Sequence, residues 1–122
     1  MNQHKKTLVL GASSNPSRYS YLAINKLVAH HHPVVAVGLK EGVVNNVQIV
    51  KDKPQEKDID TVTLYLNPKN QIPYYDYIIS LNPKRIIFNP GTENDELVSL
   101  AEKNGIEAVE ACTLVLLGTG QY

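Results

Sequence analysis

Hydrophobic residues fall in short blocks along the chain, and each block is followed by a polar segment rich in Gly, Pro or Asn. Short blocks of β-branched and apolar side chains are typical of buried strands. Residues 46–50 form a weaker block that fits either a short edge strand or a loop, within 41–60, the segment with the least regular pattern. The pattern predicts five strands, at residues 7–10, 34–37, 61–66, 85–88 and 106–109.

Between these blocks, apolar residues recur every three or four positions, which predicts helices. The first helix must end before Pro33, because the residue before a proline is disfavoured in helical conformation. Asn104-Gly105 is a typical helix end. The predicted helices cover residues 23–28, 73–81 and 97–101, and residues 112–117 fit a terminal helix.

Apolar strands that alternate with helices indicate a parallel sheet covered on both faces. Right-handed crossovers leave few topologies for such a chain. We therefore predict an α/β fold with a single Rossmann-like domain spanning residues 1–122. Its sheet is expected to be open, mostly parallel and five-stranded, in the order 3-2-1-4-5, with helices on both faces.

Four loops are expected at the carboxyl edge of this sheet, which is where open α/β sheets bind their ligands. They cover residues 11–18, 38–42, 67–71 and 89–94, and each is rich in Gly, Pro, Asn or Ser. Turns between strands and helices use these residue types in any case, so no single loop identifies a site. The case for a ligand depends on how the loops combine.

The first loop begins like a dinucleotide-binding turn but lacks its second and third glycines. Gly11 follows the first strand, in the stretch "VLGASSNPSRYSY" at residues 9–21. Backbone N–H groups after Gly11, together with the start of the following helix, would form an anion site. Ser13 and Ser14 add hydroxyl donors, Pro16 stiffens the loop, and the planar guanidinium of Arg18 suits phosphate.

The second loop carries a cation where NAD-binding domains carry an acid. In those domains an Asp or Glu at the end of the second strand bonds the ribose 2′-hydroxyl. Here the strand is followed by Gly38, Leu39 and Lys40. A lysine at this point suits an adenosine ribose with an extra phosphate, which NADP carries at the 2′ position and coenzyme A at the 3′ position. An exposed lysine without a ligand fits the same observation.

The charge distribution favours an anionic ligand near the first third of the chain. Residues 1–40 contain five basic residues and no acid, whereas the remainder contains seven basic and all twelve acidic residues, so the formal charges are +5 and −5. No motif of a nucleic-acid reader accompanies the basic third. No apolar run approaches the roughly 20 residues of a membrane span. The N-terminal residues show no signal-peptide pattern, and the lone Cys112 fits a reducing cytoplasm.

The sequence provides no convincing catalytic or metal-binding residue. Consecutive side chains at a helix end diverge, so His30, His31 and His32 are expected to be solvated rather than to bind one metal ion. No histidine lies near Cys112 in the sequence, which favours a structural thiol over a nucleophile. Residues 118–122 are expected to form a flexible tail or an interface arm.

Taken together, the chain resembles the small CoA-binding domain proteins, which are relatives of the N-terminal domain of the succinyl-CoA synthetase alpha subunit. The resemblance spans nearly the whole chain. It departs at the second loop, where members of the family often have Asn-Pro-Lys and this chain has Gly38-Leu39-Lys40. The matching stretches are residues 9–13 with Pro16, Arg18-Tyr19-Ser20-Tyr21, residues 38–42, Leu66-Asn67-Pro68, residues 90–94, and Gly105-Ile106-Glu107 running to Cys112.

The resemblance implies a Rossmann-like fold that binds coenzyme A through its ADP portion. It assigns the diphosphate to the first loop and the 3′-phosphate to Lys40. It places adenine beside the third loop and pantetheine beside the fourth. The implied ligand-binding residues are Gly11, Ala12, Ser13, Ser14, Asn15, Arg18, Lys40, Asn67, Pro68, Asn89, Pro90 and Gly91.

The sequence therefore favours a cytoplasmic, non-catalytic protein that binds or senses coenzyme A or acyl-CoA. An NAD(P)-linked redox enzyme or sensor that uses the same crevice is the alternative. A third reading is an interaction module whose nucleotide site has decayed. The expected partner is a small-molecule nucleotide cofactor, without nucleic acid or membrane, and the open sheet is compatible with a homodimer.

Overall fold

The computed structural model describes residues 4–122, so the first three residues of the predicted 1–122 domain lie outside the described part. The described chain forms one seven-stranded sheet with helices. A 3-10 turn at Ile72–Tyr74 joins the second and third helices. The strands are β1 Thr7–Leu10, β2 Val34–Val37, β3 Gly42–Val44, β4 Val47–Val50, β5 Thr61–Leu64, β6 Arg85–Phe88 and β7 Glu107–Glu110, and the helices are α1 Tyr19–Ala29, α2 Pro68–Gln71, α3 Tyr75–Leu81, α4 Asp95–Lys103 and α5 Thr113–Gly118.

The sheet order is β3-β4-β2-β1-β5-β6-β7. All neighbouring strands are parallel except β3 and β4, which pair antiparallel at one edge. The predicted α/β, Rossmann-like architecture with a mostly parallel sheet is therefore confirmed. Within residues 4–122, no helix combines the length and the apolar character needed to cross a bilayer.

The prediction of five strands in the order 3-2-1-4-5 is wrong in both number and order. The third predicted strand, residues 61–66, corresponds to β5, Thr61–Leu64. This strand pairs with β1 rather than with β2. The place beside β2 is taken by β4, which the sequence left open as an edge strand or a loop. The five predicted strands consequently run in the order 2-1-3-4-5, with a hairpin added beyond β2.

The unexpected hairpin, β3 and β4, has a clear local cause. Its two-residue turn is Asn45-Asn46, and both residues have positive φ, 49° and 66°. Two successive residues with positive φ are the signature of the type I′ turn that matches the twist of a hairpin, and asparagine tolerates this conformation better than most residues. Val44 and Ile49 then bury their side chains against the sheet.

Alternation along β1 divides the core into two layers. Leu8 and Leu10 face the layer covered by α3 and α4, whereas Val9 faces the layer covered by α1 and α5. Each of these three side chains is fully buried. Because both faces are covered, the strands read as apolar runs, and the ligand-accessible surface is confined to the loops at the ends of the sheet.

Candidate functional site

A cavity of about 730 Å³ opens at the carboxyl edge of the sheet. Its wall is formed by the loops that follow β1, β2, β5 and β6, together with the start of α1 and Asn70 of α2. Ten of the twelve site residues predicted from the sequence lie in this wall. They are Gly11, Ala12, Ser13, Ser14, Asn15, Arg18, Lys40, Asn67, Pro90 and Gly91.

The first loop is attached to β2 through its first two amides. The N–H groups of Gly11 and Ala12 both donate to the carbonyl oxygen of Val37, at 2.8 and 2.9 Å. These two donors are therefore occupied, although the family resemblance implied that both residues hold the diphosphate. Within residues 4–122, the N–H groups of Ser13 and Ser14 have no acceptor, and both residues line the cavity. They are the loop amides that can bind an anion.

Asn15 folds the rest of this loop. Its side-chain Oδ1 accepts hydrogen bonds from the N–H of Ser17 at 3.0 Å and from the Ser17 hydroxyl at 2.8 Å. Its own N–H donates to Ser13 Oγ at 3.1 Å, and its carbonyl accepts from the Arg18 N–H at 3.0 Å. Asn15 thus shapes the turn that leads to Arg18, while the Ser13 hydroxyl proton stays available to a ligand.

Helix α1 begins at the cavity without a cap. Arg18 occupies the N-cap position, its side chain makes no capping hydrogen bond, and the first turn contains no acid. Tyr19 and Ser20, the first two helical residues, lie in the cavity wall. The N–H groups at a helix start have no intrahelical partner and carry partial positive charge, which attracts anions.

Gly38 allows the second loop to approach the first. A Cβ atom on residue 38 would lie 2.2 Å from the carbonyl oxygen of Ala12. Only glycine fits so close to a backbone carbonyl. The contact brings Leu39 and Lys40 into the cavity wall, where both side chains are exposed. The sequence predicted a loop at residues 38–42, which in the structure ends where β3 begins at Gly42, and the steric role of Gly38 appears only once the two loops are in contact.

The opposite wall is held together by Gln71, which the sequence analysis missed. Gln71 is fully buried, and its Nε2 donates to the carbonyl oxygens of Leu66 and Thr92, both at 2.8 Å. Its Oε1 accepts from Asn94 Nδ2 at 2.9 Å. Since Leu66 and Thr92 belong to the loops after β5 and β6, Gln71 fixes the spacing of these two loops. No local pattern marks a glutamine for this role.

Two predicted site residues, Pro68 and Asn89, lie outside the cavity wall. Pro68 is the exposed first residue of α2. Asn89 is buried beneath the wall, where its Nδ2 donates to Thr63 Oγ1 at 2.7 Å and to the Leu64 carbonyl at 2.8 Å. Its Oδ1 accepts from the Thr113 N–H at 2.8 Å. Both polar atoms of the Asn89 side chain are therefore engaged within the protein.

The charged residues of the wall are Arg18 and Lys40, and no Asp or Glu is among the described residues that form it. The nearby carboxylate of Glu93 is hydrogen-bonded within its own loop, where its Oε1 accepts from the N–H of Gly91 at 2.9 Å. The third loop contributes amide groups, with Asn67 Oδ1 accepting from the Asn70 N–H at 2.9 Å. The wall therefore presents positive charge and amide dipoles to a ligand.

Tyr65 is a further wall residue that the sequence analysis missed. It lies in the cavity wall, but its hydroxyl is buried and finds no hydrogen-bond partner among residues 4–122. Burial raises the pKa of Tyr65 to about 12, so the phenol is neutral at physiological pH. The side chain therefore contributes a neutral aromatic surface to the cavity rather than a charge.

The histidines and the cysteine lie apart from the cavity. His30 and His31 are exposed, as expected, but His32 is half-buried, and its Nδ1 accepts from the N–H of Lys5 at 2.9 Å. The expectation of a solvated His32 is therefore wrong. Cys112 is a half-buried free thiol at the N-cap of α5. Within the described part of the chain, no group of three or more His, Cys, Asp or Glu residues is placed to hold a metal ion.

Comparison with known proteins gives one family and several similar structures. The family model described as a CoA binding domain matches residues 5–118. An uncharacterised protein of known crystal structure is 51% identical, with a TM-score of 0.96, covering 99% of this chain and 100% of its own. A hypothetical protein from Pyrococcus horikoshii OT3 is 26% identical, with a TM-score of 0.83, over 93% of this chain and 81% of its own.

A Thermus thermophilus protein shares the fold at 19% identity, with a TM-score of 0.86, over 98% of this chain and 92% of its own. None of the curated proteins compared with the chain matches it.

Proposed function

The chain belongs to the family of small CoA-binding domain proteins, and we propose that it binds coenzyme A or an acyl-CoA in the cavity at the carboxyl edge of the sheet. The observation that carries this proposal is the junction of the first loop with α1. There, the amides of Ser13 and Ser14 have no acceptor among residues 4–122, and an uncapped helix start lies beside them. Such a junction suits a diphosphate.

Arg18 adds a guanidinium to this junction. It occupies the N-cap position of α1, next to the first-turn amides, and it lies in the cavity wall. A planar guanidinium can bond two phosphate oxygens at once. We therefore assign the diphosphate of the ligand to Ser13, Ser14, Arg18 and the start of α1.

Lys40 is assigned to the 3′-phosphate. It lies in the wall beside the first loop because Gly38 brings the two loops together. Lys40 also suits the 2′-phosphate of NADP, so NADP is the natural comparison ligand. The family membership favours coenzyme A between the two.

The third and fourth loops are assigned to the remaining parts of the ligand. We place adenine beside Asn67, with Pro68 at the border of the subsite, and pantetheine beside Pro90 and Gly91. Asn89 supports the fourth loop from below instead of contacting the ligand. We assign no catalytic residue, and the proposed role is that of a binding or sensor protein.

Calorimetric titration with coenzyme A, dephospho-CoA, NADP and NAD tests this proposal. We expect coenzyme A to bind about tenfold more tightly than dephospho-CoA, because one phosphate–lysine contact contributes about 1.4 kcal/mol. Lys40→Ala should remove this difference. Lys103→Ala, which removes the same charge from the exposed end of α4, should keep it.

Each other outcome has a definite meaning. Equal affinity of the wild-type protein for coenzyme A and dephospho-CoA would contradict the assignment of Lys40 to the 3′-phosphate. Tighter binding of NADP than of coenzyme A would favour the redox alternative. Absence of binding by all four ligands would contradict the proposed function as a whole.

A further inference from the structure

A second cluster of charged and aromatic side chains lies at the amino edge of the sheet, opposite the cavity, and its centre is Tyr122. The Tyr122 ring covers the guanidinium of Arg85, with 4.4 Å between the ring centroid and Cζ. The Tyr122 hydroxyl shares a hydrogen bond with Thr7 Oγ1, and the main-chain oxygen of Tyr122 accepts from Lys5 Nζ at 2.6 Å. Residues 118–122 were expected to form a flexible tail or an interface arm, but the last of them, Tyr122, packs against the amino edge of the sheet.

His32 completes this cluster from the segment between α1 and β2. Its Nδ1 accepts from the Lys5 N–H at 2.9 Å, and its ring centroid lies 4.9 Å from that of Tyr122. Neutral His32 thus positions Lys5, whose side chain in turn bonds Tyr122. An acceptor at Nδ1 requires that this nitrogen carry no proton.

Burial and the basic groups around His32 oppose its protonation. Lys5 contacts it from the segment before β1, Arg85 faces it from β6, and Tyr122 packs against it from the segment after α5. The rings of His4 and His32 are 6.4 Å apart, and His30 lies two residues before it in the chain. Burial, and then the positive charges of His30, His4, Lys5 and Arg85, lower the pKa of His32 below its ordinary value of 6.5.

We propose that His32 is a pH-sensitive latch: its neutral imidazole holds Lys5 and Tyr122 against the amino edge of the sheet, and its protonation releases both. A proton on Nδ1 converts the acceptor into a donor that faces the Lys5 N–H, and it places a positive charge beside Lys5 and Arg85. The latch lies at the edge opposite the cavity, so this inference does not depend on the proposed ligand.

The direction of the pH effect follows from the lowered pKa. The unfolded chain takes up the proton at His32 near its ordinary pKa of 6.5, whereas the folded chain takes it up only at lower pH. Well above pH 6.5 both states are neutral at this site, and the latch is intact. As the pH falls below 6.5, the unfolded state binds more protons, and the contribution of the latch to stability is lost.

Amide hydrogen exchange at Lys5, followed by NMR, directly measures whether the hydrogen bond from the Lys5 N–H to His32 is formed. From about pH 7.5 to about pH 5, we expect the protection of the Lys5 amide, corrected for intrinsic exchange, to fall by more than about threefold. His32→Asn keeps an acceptor oxygen near the position of Nδ1 but cannot titrate, so its Lys5 protection should stay constant within about twofold. His31→Asn, at an exposed neighbour that is not among the groups lowering the His32 pKa, should retain the pH dependence.

A second measurement keeps the inference testable if His32→Asn does not fold. In the wild-type protein, the Tyr122 ring resonances should shift with the same midpoint as the His32 ring resonances. Separate midpoints would overturn the latch, and so would Lys5 protection that does not vary with pH. A His32→Asn variant as pH-sensitive as the wild type would also overturn it, because another group would then be the sensor.

Discussion

Gly38→Ala is expected to destabilise the protein by about 3 kcal/mol, the upper end of the usual cost of an inserted methyl group in a packed site. The added Cβ would lie 2.2 Å from the Ala12 carbonyl oxygen and 3.2 Å from Ile49 Cγ2. A backbone carbonyl cannot rotate away as a side chain can. The first loop must therefore move, although the N–H groups of Gly11 and Ala12 attach it to β2. Urea denaturation measures the loss.

The same substitution should lower the affinity for coenzyme A by at least about tenfold, because it displaces Ser13 and Ser14. Gly118→Ala is the matched control, since its Cβ would meet only the flexible end of Lys26, with Nζ at 3.2 Å. We expect this control to change stability by less than about 0.5 kcal/mol. If Gly38→Ala left both stability and affinity unchanged, the described contact between the two loops would be wrong.

Asn89→Ala is expected to destabilise the protein by about 3 kcal/mol, because it leaves buried polar groups without partners. Thr113 would lose the acceptor of its N–H, and the carbonyl of Leu64 would lose a donor. Asn89→Asp keeps the acceptor for Thr113 but turns a carboxylate oxygen toward Thr63 and Leu64, so it should also destabilise. Thermal and urea unfolding measure both variants.

Asn104→Ala serves as the comparison for Asn89. Asn104 is exposed, and its side chain only donates to the Leu100 carbonyl at the end of α4, at 2.8 Å. Its replacement should cost less than about 1 kcal/mol. An Asn89→Ala variant as stable as Asn104→Ala, with reduced affinity for coenzyme A, would instead place Asn89 in contact with the ligand, as the family resemblance first suggested.

The sequence located much of the cavity because its loops follow strands that hydrophobicity alone identifies. Once the ends of β1 and β2 are known, the positions of Gly11, Arg18 and Lys40 at the carboxyl edge of the sheet can be predicted. The sheet order was missed because β3 and β4 are short and depend on the positive φ values of Asn45 and Asn46. Because β4 takes the place beside β2, the third predicted strand lies beside β1 instead, while the fourth and fifth predicted strands keep their order.

The supporting side chains could not be found in the same way. Gln71 bonds to loops on both sides of it, and Asn89 bonds to β5 and α5. These partners are separated by up to 26 positions in the sequence, so no local periodicity indicates them. His32 is a similar case, since its partner Lys5 is 27 residues away. Such roles depend on tertiary contacts that the local sequence pattern does not contain.

The most direct test of the proposed site is an NMR titration of the 15N-labelled protein with coenzyme A, followed at the backbone amides. We expect the largest shifts at Ser13, Ser14, Tyr19 and Ser20, where the free amides of the first loop and the start of α1 would meet the diphosphate. Absence of shifts at these four amides at saturating coenzyme A, or shifts confined to the amino edge of the sheet, would contradict the proposal.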